Sequence, residues 1–455
     1  MTAPIPDHAI GAPDRDLARY VRRTVYPYSA YYRGVLDRAG VGGRVRGRAD
    51  LARVPPTDLG AVGDPGELVL RPDLRAIVRG GRRRFAARTV LAKAAGGMHG
   101  FNRRVVEPDF KPVQWVLGDG VPIGYSSADL RRLAARGAEW LDRAGVGRHD
   151  VIVGLIAPGP SVGYWQLVHG ARRRGTSAIH LDAHADPVLV ERIAPSVIAG
   201  DAQHLIAVLA EARDLGHRLV NLRTLLVVGD PLGSDLRHRL QALAGGATVV
   251  GAWAPPGVRA LWSECRPGAE RPDPVGYHAW DDDVLELAQP GPGSVEGELL
   301  WTGLGWRGSA LLRLRARTTA ALEAGPCPAC GRPGPRLIPL APIPREVPGD
   351  VPDSPASHPL PAAMPSAPVA VAVTAEAVLD GEAEVAAWQV EYRTVAGLPE
   401  SIVLLAPAWG AAVVPLIRRL DRHLRATQFV VLPADEVTAR VDAAGGRRVL
   451  GAVPR

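Results

Sequence analysis

A chain of 455 residues with 47% hydrophobic content has room for two or three domains and a large core. Its formal charge of +7 rests on arginine, since Lys93 and Lys111 are the only lysines, and this reads as the codon bias of a GC-rich, actinobacterial genome. Three cysteines exclude an even disulfide framework and point to a reducing cytoplasm; no apolar run of about 18 residues marks a membrane span, and the N-terminus lacks a secretory pattern.

Residues 15–60 read as helices with polar breaks. The stretch SSADLRRLAARGAEWLDRAG, 126–145, opens on Ser and Asp, repeats apolar residues at helical spacing and stops at Gly145. DVIVGLIAP, 150–158, reads as a buried strand and GYWQLVHGARRRG as the next helix. TSAIHLD, SVIAGD and RTLLVVGD follow as strands, with DPVLVERI and AQHLIAVLAEARDLG as the helices between them. This rhythm predicts an α/β sheet with mostly parallel strands. Nine prolines within residues 341–370 mark an extended linker. Beyond it VAAWQVEYR and SIVLLAP read as strands, AAVVPLIRRLDRHLRA as a helix and TQFVVLP as a strand, so a small α+β domain is expected over 371–455.

Few segments carry chemistry. Cys327 and Cys330 form a C-x-x-C knuckle among Pro and Gly, with Cys265 and His278 upstream. Together they make a Cys3His set that uses every cysteine, and a closed tetrahedral zinc site of this kind is structural because it leaves no open position. The competing reading is two free thiols in a loop and one buried cysteine. IHLDAHADP, His180 to Pro187, contains the D-A-H-x-D string of the dimanganese ureohydrolases at Asp182, His184 and Asp186. The S-x-D-x-D string that should accompany it is missing, which leaves a polar loop running into an Asp-Pro helix start. LGDGVPIG, 117–124, lacks the Lys and Ser/Thr of a phosphate loop and reads as a hairpin turn. No G-x-S-x-G elbow occurs. The runs Arg82–Arg84 and Arg172–Arg174 have no interleaved aromatics, so a solvated surface is expected and nucleic acid is not.

Taken in order, these segments resemble the phenylacetate–CoA ligase and coenzyme F390 synthetase branch of the adenylate-forming (ANL) superfamily. YSAYYRGVLDRAGV is similar to that branch's N-terminal "pYYR" helix, and LARVPPTDLGAV to its "lP-T-K-dL" segment. VVGDPLGSDLRHRLQA, with Gly229, Asp230 and Pro231, resembles its "vGEPLs" segment. ECRPG with GYHAWDDDVLEL, then EGELLWTGL, then CPACGRPGPRL, match three further segments in sequence, and the likeness spans nearly the whole chain outside the linker. The resemblance implies a large ligase-like N-terminal domain over 1–340 with mixed sheets and helices, the 341–370 linker, and the small C-terminal domain. It also implies zinc on Cys265, His278, Cys327 and Cys330, which family members can carry.

Such enzymes convert a carboxylate with ATP to an acyl-AMP and pass the acyl group to a thiol. The phosphate loop S-S-G-T-T-G-K-P aligns with Trp115 to Pro122, where only Gly120 and Pro122 persist and Asp119 brings a like charge. Y-G-x-T-E aligns with Trp253 to Gly257 and loses both Thr and Glu. R-Y-R-T-G-D aligns with Arg313 to Thr318, and the ribose-binding Asp becomes Thr318. The G-R-x-D-D hinge is replaced by the linker, and no lysine follows Lys111 to serve in adenylation; Arg447 and Arg448 are the nearest cations in character. Each lost transition-state contact costs about 3 kcal/mol. Gly120, Pro122, Gly229, Asp230 and Arg315 therefore read as a vestigial nucleotide site, with structural zinc retained and ATP or AMP not expected to serve as cofactor. The expected role is a binding or accessory protein of specialised metabolism, taking a small carboxylic acid, an acyl ligand or a protein partner. The alternative is an acyl-activating enzyme rewired around Asp119, Arg313, Arg315 and Arg317.

Overall fold

The computed structural model describes residues 9–72, 83–181, 185–266, 276–288, 296–323, 325–334, 336–343, 385–395, 398–407, 428–443 and 449–450, with Leu379 and Leu420. Contacts divide the chain into two units, Met1–Asp353 and Ser354–Arg455, at a point inside the proline-rich 341–370 segment.

The first unit begins with β1 (Ala9–Gly11), α1 (Asp14–Tyr20), α2 (Ala30–Arg38) and α3 (Arg83–Phe101). A hairpin of β2 (Pro112–Gly118) and β3 (Val121–Ser126) leads directly into α4 (Ser127–Arg143). That helix starts where it does because Ser126 and Asp129 form a reciprocal capping box, with the Asp129 amide donating to Ser126 at 3.3 Å and the Ser126 amide to Asp129 at 3.0 Å.

Strands and helices then alternate: β4 (Val151–Gly154), α5 (Val162–Arg174), β5 (Ser177–His180), α6 (Pro187–Ile193), β6 (Val197–Gly200), α7 (Ala202–Asp214), β7 (Thr224–Gly229), α8 (Ser234–Leu243) and β8 (Thr248–Trp253). The five strands are parallel in the order β5-β4-β6-β7-β8. Helices cover both faces, so successive strand residues feed two different cores. Ile152, Val197 and Leu226 pack with Trp140 and Leu167, while Val153, Ile198 and Leu225 pack with Leu205 and Leu240. This is why the strands read as unbroken apolar runs.

The same sheet continues through β9 (Trp262–Ser263), β10 (Tyr277–His278), β11 (Asp283–Ala288), β12 (Glu296–Gly303), β13 (Leu314–Glu323) and β14 (Arg336–Pro342). The full order is β1-β11-β12-β13-β14-β10-β9-β8-β7-β6-β4-β5. The parallel strands expected from the 126–230 rhythm are present and extend to Trp253, and beyond it every described strand pairing of this sheet is antiparallel, which makes the sheet mixed, as the resemblance implied. No described helix crosses over between these later strands, so they pair antiparallel. The two halves meet at a narrow place: β9 and β10 have two residues each, and one residue pair, Ser263 opposite His278, joins them.

In the second unit β15 (Val385–Val395) and β16 (Leu398–Pro407), both read as strands from sequence, form an antiparallel pair. β17 (Gln428–Val431) and β18 (Val449–Leu450) flank them in parallel, giving the order β17-β16-β15-β18 beside α9 (Ala434–Ala443). The helix expected over 411–426 lies, except for Leu420, outside the described residues.

Candidate metal centre and phosphate-loop region

Three separate elements deliver the Cys3His set to the narrow place in the sheet. Cys265 follows β9 by two residues, His278 ends β10, and Cys327 and Cys330 lie in the connection from β13 to β14. The C-x-x-C turn is shaped by its own backbone. The Gly331 amide donates to the Cys327 carbonyl at 2.8 Å, with Gly331 at a φ of 68° that disfavours a side chain. The Cys327 amide in turn donates to the Arg332 carbonyl at 2.8 Å. Glu264, just before Cys265, accepts from the Gly251 amide and pairs with Arg237, each at 2.5 Å, which anchors that end of β9.

All four donor atoms lie within 4.8 Å of one another. Cys265 and Cys327 sulfurs are 3.9 Å apart, and the Cys330 sulfur is 3.6 Å from His278 Nε2. Tetrahedral zinc, with bonds of about 2.3 Å to sulfur and about 2.0 Å to nitrogen, places its ligand atoms roughly 3.5–3.8 Å apart. Two donor pairs already stand near that spacing and the set as a whole, within 4.8 Å, has to close by about 1 Å at most, so the residues fit such an ion. Cys265, His278 and Cys327 are buried and Cys330 is exposed.

The protonation states suit ligation. Burial, then the positive charges of Arg143, Arg332 and Arg336, lowers the pKa of His278 to about 4, so its ring is a neutral donor at pH 7. Burial opposes the Cys327 thiolate, but amides of Ala329 and Cys330 point at its sulfur and the net effect lowers its pKa. Cys265 is raised by burial and then by the neighbouring cysteines, as expected of thiols crowded without a cation. Three thiolates around a divalent ion leave one net negative charge, which the three arginines face. Glu139 holds two of them, Arg143 at 2.8 Å and Arg332 at 2.6 Å, while Arg143 also lies 4.4 Å from the Trp280 ring. These surrounding residues were not singled out from sequence. Glu139 and Arg143 stand at helical i, i+4 spacing, and Arg332 follows the knuckle by two residues, so a signal was present.

The segment aligned with a phosphate loop has a different form. Gly118 pairs with Val121, which leaves Asp119 and Gly120 as a two-residue turn with φ values of 52° and 78°. That is the type I′ hairpin the Asp-Gly pair favours. Pro122 sits in β3 opposite Leu117. A Cβ on Gly118 would lie 2.4 Å from the Gly257 nitrogen, and one on Gly257 would lie 2.7 Å from Leu59 and 2.9 Å from Leu314. The hairpin, the Trp253–Gly257 turn and the start of β13 are thus brought together and packed against one another. Thr318 donates its hydroxyl to the Ala316 carbonyl at 3.2 Å.

Arg313, just before β13, and Arg315 and Arg317 within it are all engaged by acids. Arg313 pairs with Glu286 at 3.2 Å, Arg315 with Glu298, and Arg317 with Asp58 at 2.7 Å and Asp119 at 3.9 Å. Gly229 ends β7 in register with Trp253, and both it and Asp230 are exposed beyond the carboxyl ends of the parallel strands. Asp186 caps α6 by accepting from the Val188 amide at 2.9 Å, the helix start read from sequence, while Asp182 and His184 lie outside the described residues.

No family model matches the chain, and no curated protein matches it. Solved structures do. The chain is similar to 2-hydroxyisobutyryl-CoA ligase in complex with 2-HIB-AMP and CoA in the thioesterification state, with a TM-score of 0.56 and 18% identity over 99% of this chain and 94% of that one. An open conformation of the same ligase gives a TM-score of 0.55 and 17% identity over 96% of this chain and 93% of that one. The likeness shows the fold: a large mixed α/β unit and a small separate sheet unit, as in these CoA ligases. No described helix is long and apolar enough to cross a membrane.

Proposed function

We propose that this chain is an acyl-adenylating ligase homologue that has given up ATP-dependent activation and acts as a small-molecule-binding or accessory protein. The observation that carries the reading is the two-residue Asp119–Gly120 turn, packed against Gly257, where a triphosphate would need a loop of free amides and hydroxyls. Asp119 adds a negative charge at that turn and Arg317 is already paired with it and with Asp58. The absence of any lysine beyond Lys111 removes the usual adenylation cation from the small unit.

Cys265, His278, Cys327 and Cys330 hold a structural zinc in this reading, supported by donor spacing, a neutral His278 and the arginine surround. When bound, the ion supplies cross-linking and no open coordination position. The chemistry of the neighbouring fold makes a small carboxylic acid or acyl group the natural ligand class, and a protein partner in a specialised pathway the natural context. The second reading, an activating enzyme rewired around Arg313, Arg315 and Arg317, is weakened because each of those cations already has an acid partner.

The test is ATP–pyrophosphate exchange with a panel of carboxylic acids, together with calorimetric titration of ATP and AMP. Neither exchange nor nucleotide binding is expected. Substrate-dependent exchange would overturn the proposal and install the second reading.

A further inference from the structure

We propose that a second cavity binds a small organic monoanion carrying an aromatic ring, with Arg23 as its counter-ion. The cavity is about 400 Å³, within the range of small-ligand sites, and its lining includes no residue of the hairpin, the Trp253–Gly257 turn or the Arg313–Thr318 strand. It is therefore separate from the site treated above, and the inference does not rest on the loss of ATP chemistry.

Its floor is aromatic. Tyr20, Tyr28 and Phe110 line it, with Tyr28 and Phe110 edge to face at 5.4 Å. Tyr20 stays neutral, since burial raises its pKa, and its hydroxyl donates to the Trp306 carbonyl at 2.7 Å. Such rings offer faces and edges to another ring and nothing to a strongly hydrated ligand.

The charges then decide the ligand. Three of the four lining arginines are spoken for: Arg19 by Asp16 at 3.2 Å, Arg132 by Asp282 at 3.1 Å, and Arg307 by Asp109 at 3.0 Å. Arg23, half-buried, has no acid partner among the described residues, and of the three lining acids only Asp281, which is exposed, stands outside these pairs. A half-buried guanidinium beside apolar surface gains from a counter-ion, and one such cation, with the Asp281 carboxylate also in the lining, suits one negative charge and not a polyphosphate. Arg23 and Thr24 also lie on a π-helical turn, Val21–Val25, a costly widening of the backbone that recurs at functional sites. The guanidinium fork holds two oxygens of one headgroup at once, which a planar carboxylate and a tetrahedral sulfonate can each offer, so the two share the required chemistry.

The experiment is calorimetric titration of the full chain with benzoate, benzenesulfonate, acetate and benzyl alcohol. Benzoate is expected to bind, acetate and benzyl alcohol at least about tenfold more weakly, because each lacks the ring or the charge. Benzenesulfonate binding like benzoate assigns the site to aromatic oxyanions of single charge at large; binding of benzoate alone assigns it to carboxylates. Arg23→Gln should weaken benzoate about tenfold while Arg23→Lys restores part of the loss. Arg22→Gln, outside this cavity, serves as the control and should bind benzoate as the parent does. Melting temperatures of the variants are read first, and Phe110→Ala should weaken benzoate independently of charge. Equal benzoate affinity in the parent and Arg23→Gln, or no benzoate binding at millimolar concentration, overturns the proposal.

Discussion

Replacing Cys327 with Ser removes one of four donors from the metal cluster, and its cost can be worked from the geometry. One sulfur pair at 3.9 Å and one sulfur–imidazole pair at 3.6 Å stand near tetrahedral spacing, and all four donors lie within 4.8 Å, so binding asks the ligands to close by about 1 Å at most. A metal that binds only the folded state stabilises it by about 4 kcal/mol when free metal is 1,000 times the dissociation constant. The unit that carries the site, Met1–Asp353, has a melting entropy of roughly 0.7 kcal/mol per degree at about 2.1 cal/mol/K per residue. Loss of the ion should therefore lower the melting temperature of that unit by about 5–6 °C. The assay is a thermal melt of parent and Cys327→Ser, each with and without a chelator, with zinc per chain read by atomic emission. Chelator should bring the parent down to the variant and leave the variant unmoved. A parent that purifies without zinc, or a zinc-free variant that melts with the loaded parent, would refute the reasoning.

Zinc binding at about pH 6 should release at most three protons, all from thiols, because His278 with its lowered pKa is already neutral there and takes up a proton only near 4. Calorimetry in buffers of different ionisation heat counts them, and a fourth proton would mean that His278 is cationic before binding. Arg237→Leu leaves Glu264 buried with the Gly251 amide as its remaining protein contact, so urea denaturation at pH 7 should show a loss of about 3–5 kcal/mol. Burial raises the Glu264 pKa, so the carboxyl protonates more readily and the loss should shrink as pH falls; a loss that is equal at pH 7 and about pH 5 counts against an unpaired buried charge. Gly120→Ala places a side chain at a φ of 78° and should cost about 1 kcal/mol in the same assay; no cost would argue against the tight turn on which the functional proposal stands.

Much of this was readable in the chain itself, and the reasons are specific. The parallel half was legible because strands covered on both faces are short apolar runs between amphipathic helices, as in SVIAGD and RTLLVVGD. The Asp119–Gly120 turn was legible because both residues tolerate positive φ. The grouping of Cys265, His278, Cys327 and Cys330 was legible from the cysteines, since the set takes in every one of them. The antiparallel half was not, because β13 buries only alternate residues and β9 and β10 are two residues long, too short for any periodicity. Nor were the ion pairs: Arg317 finds Asp58 across more than 250 positions, and only the folded chain shows that the arginine-rich strand is already neutralised. The Arg23 cavity is assembled the same way, from residues as far apart as Tyr20, Phe110 and Leu304.

The narrow place where Ser263 opposite His278 joins β9 to β10 has a consequence for how the first unit comes apart. The two halves of the sheet are linked there by one residue pair, so opening along this seam breaks few backbone bonds, and it is α4, with Leu133 in one core and Trp140 in the other, that ties the halves together otherwise. The four candidate donors straddle that seam, with Cys265 after one short strand, His278 on the other, and Cys327 and Cys330 in the connection beside them. Cross-linking them would couple the halves into one unfolding event. Amide exchange around Tyr277 and His278 is then the most sensitive reporter of metal in the molecule, slow when the ion is bound and fast when it is stripped, with the parallel strands far from the seam barely changed.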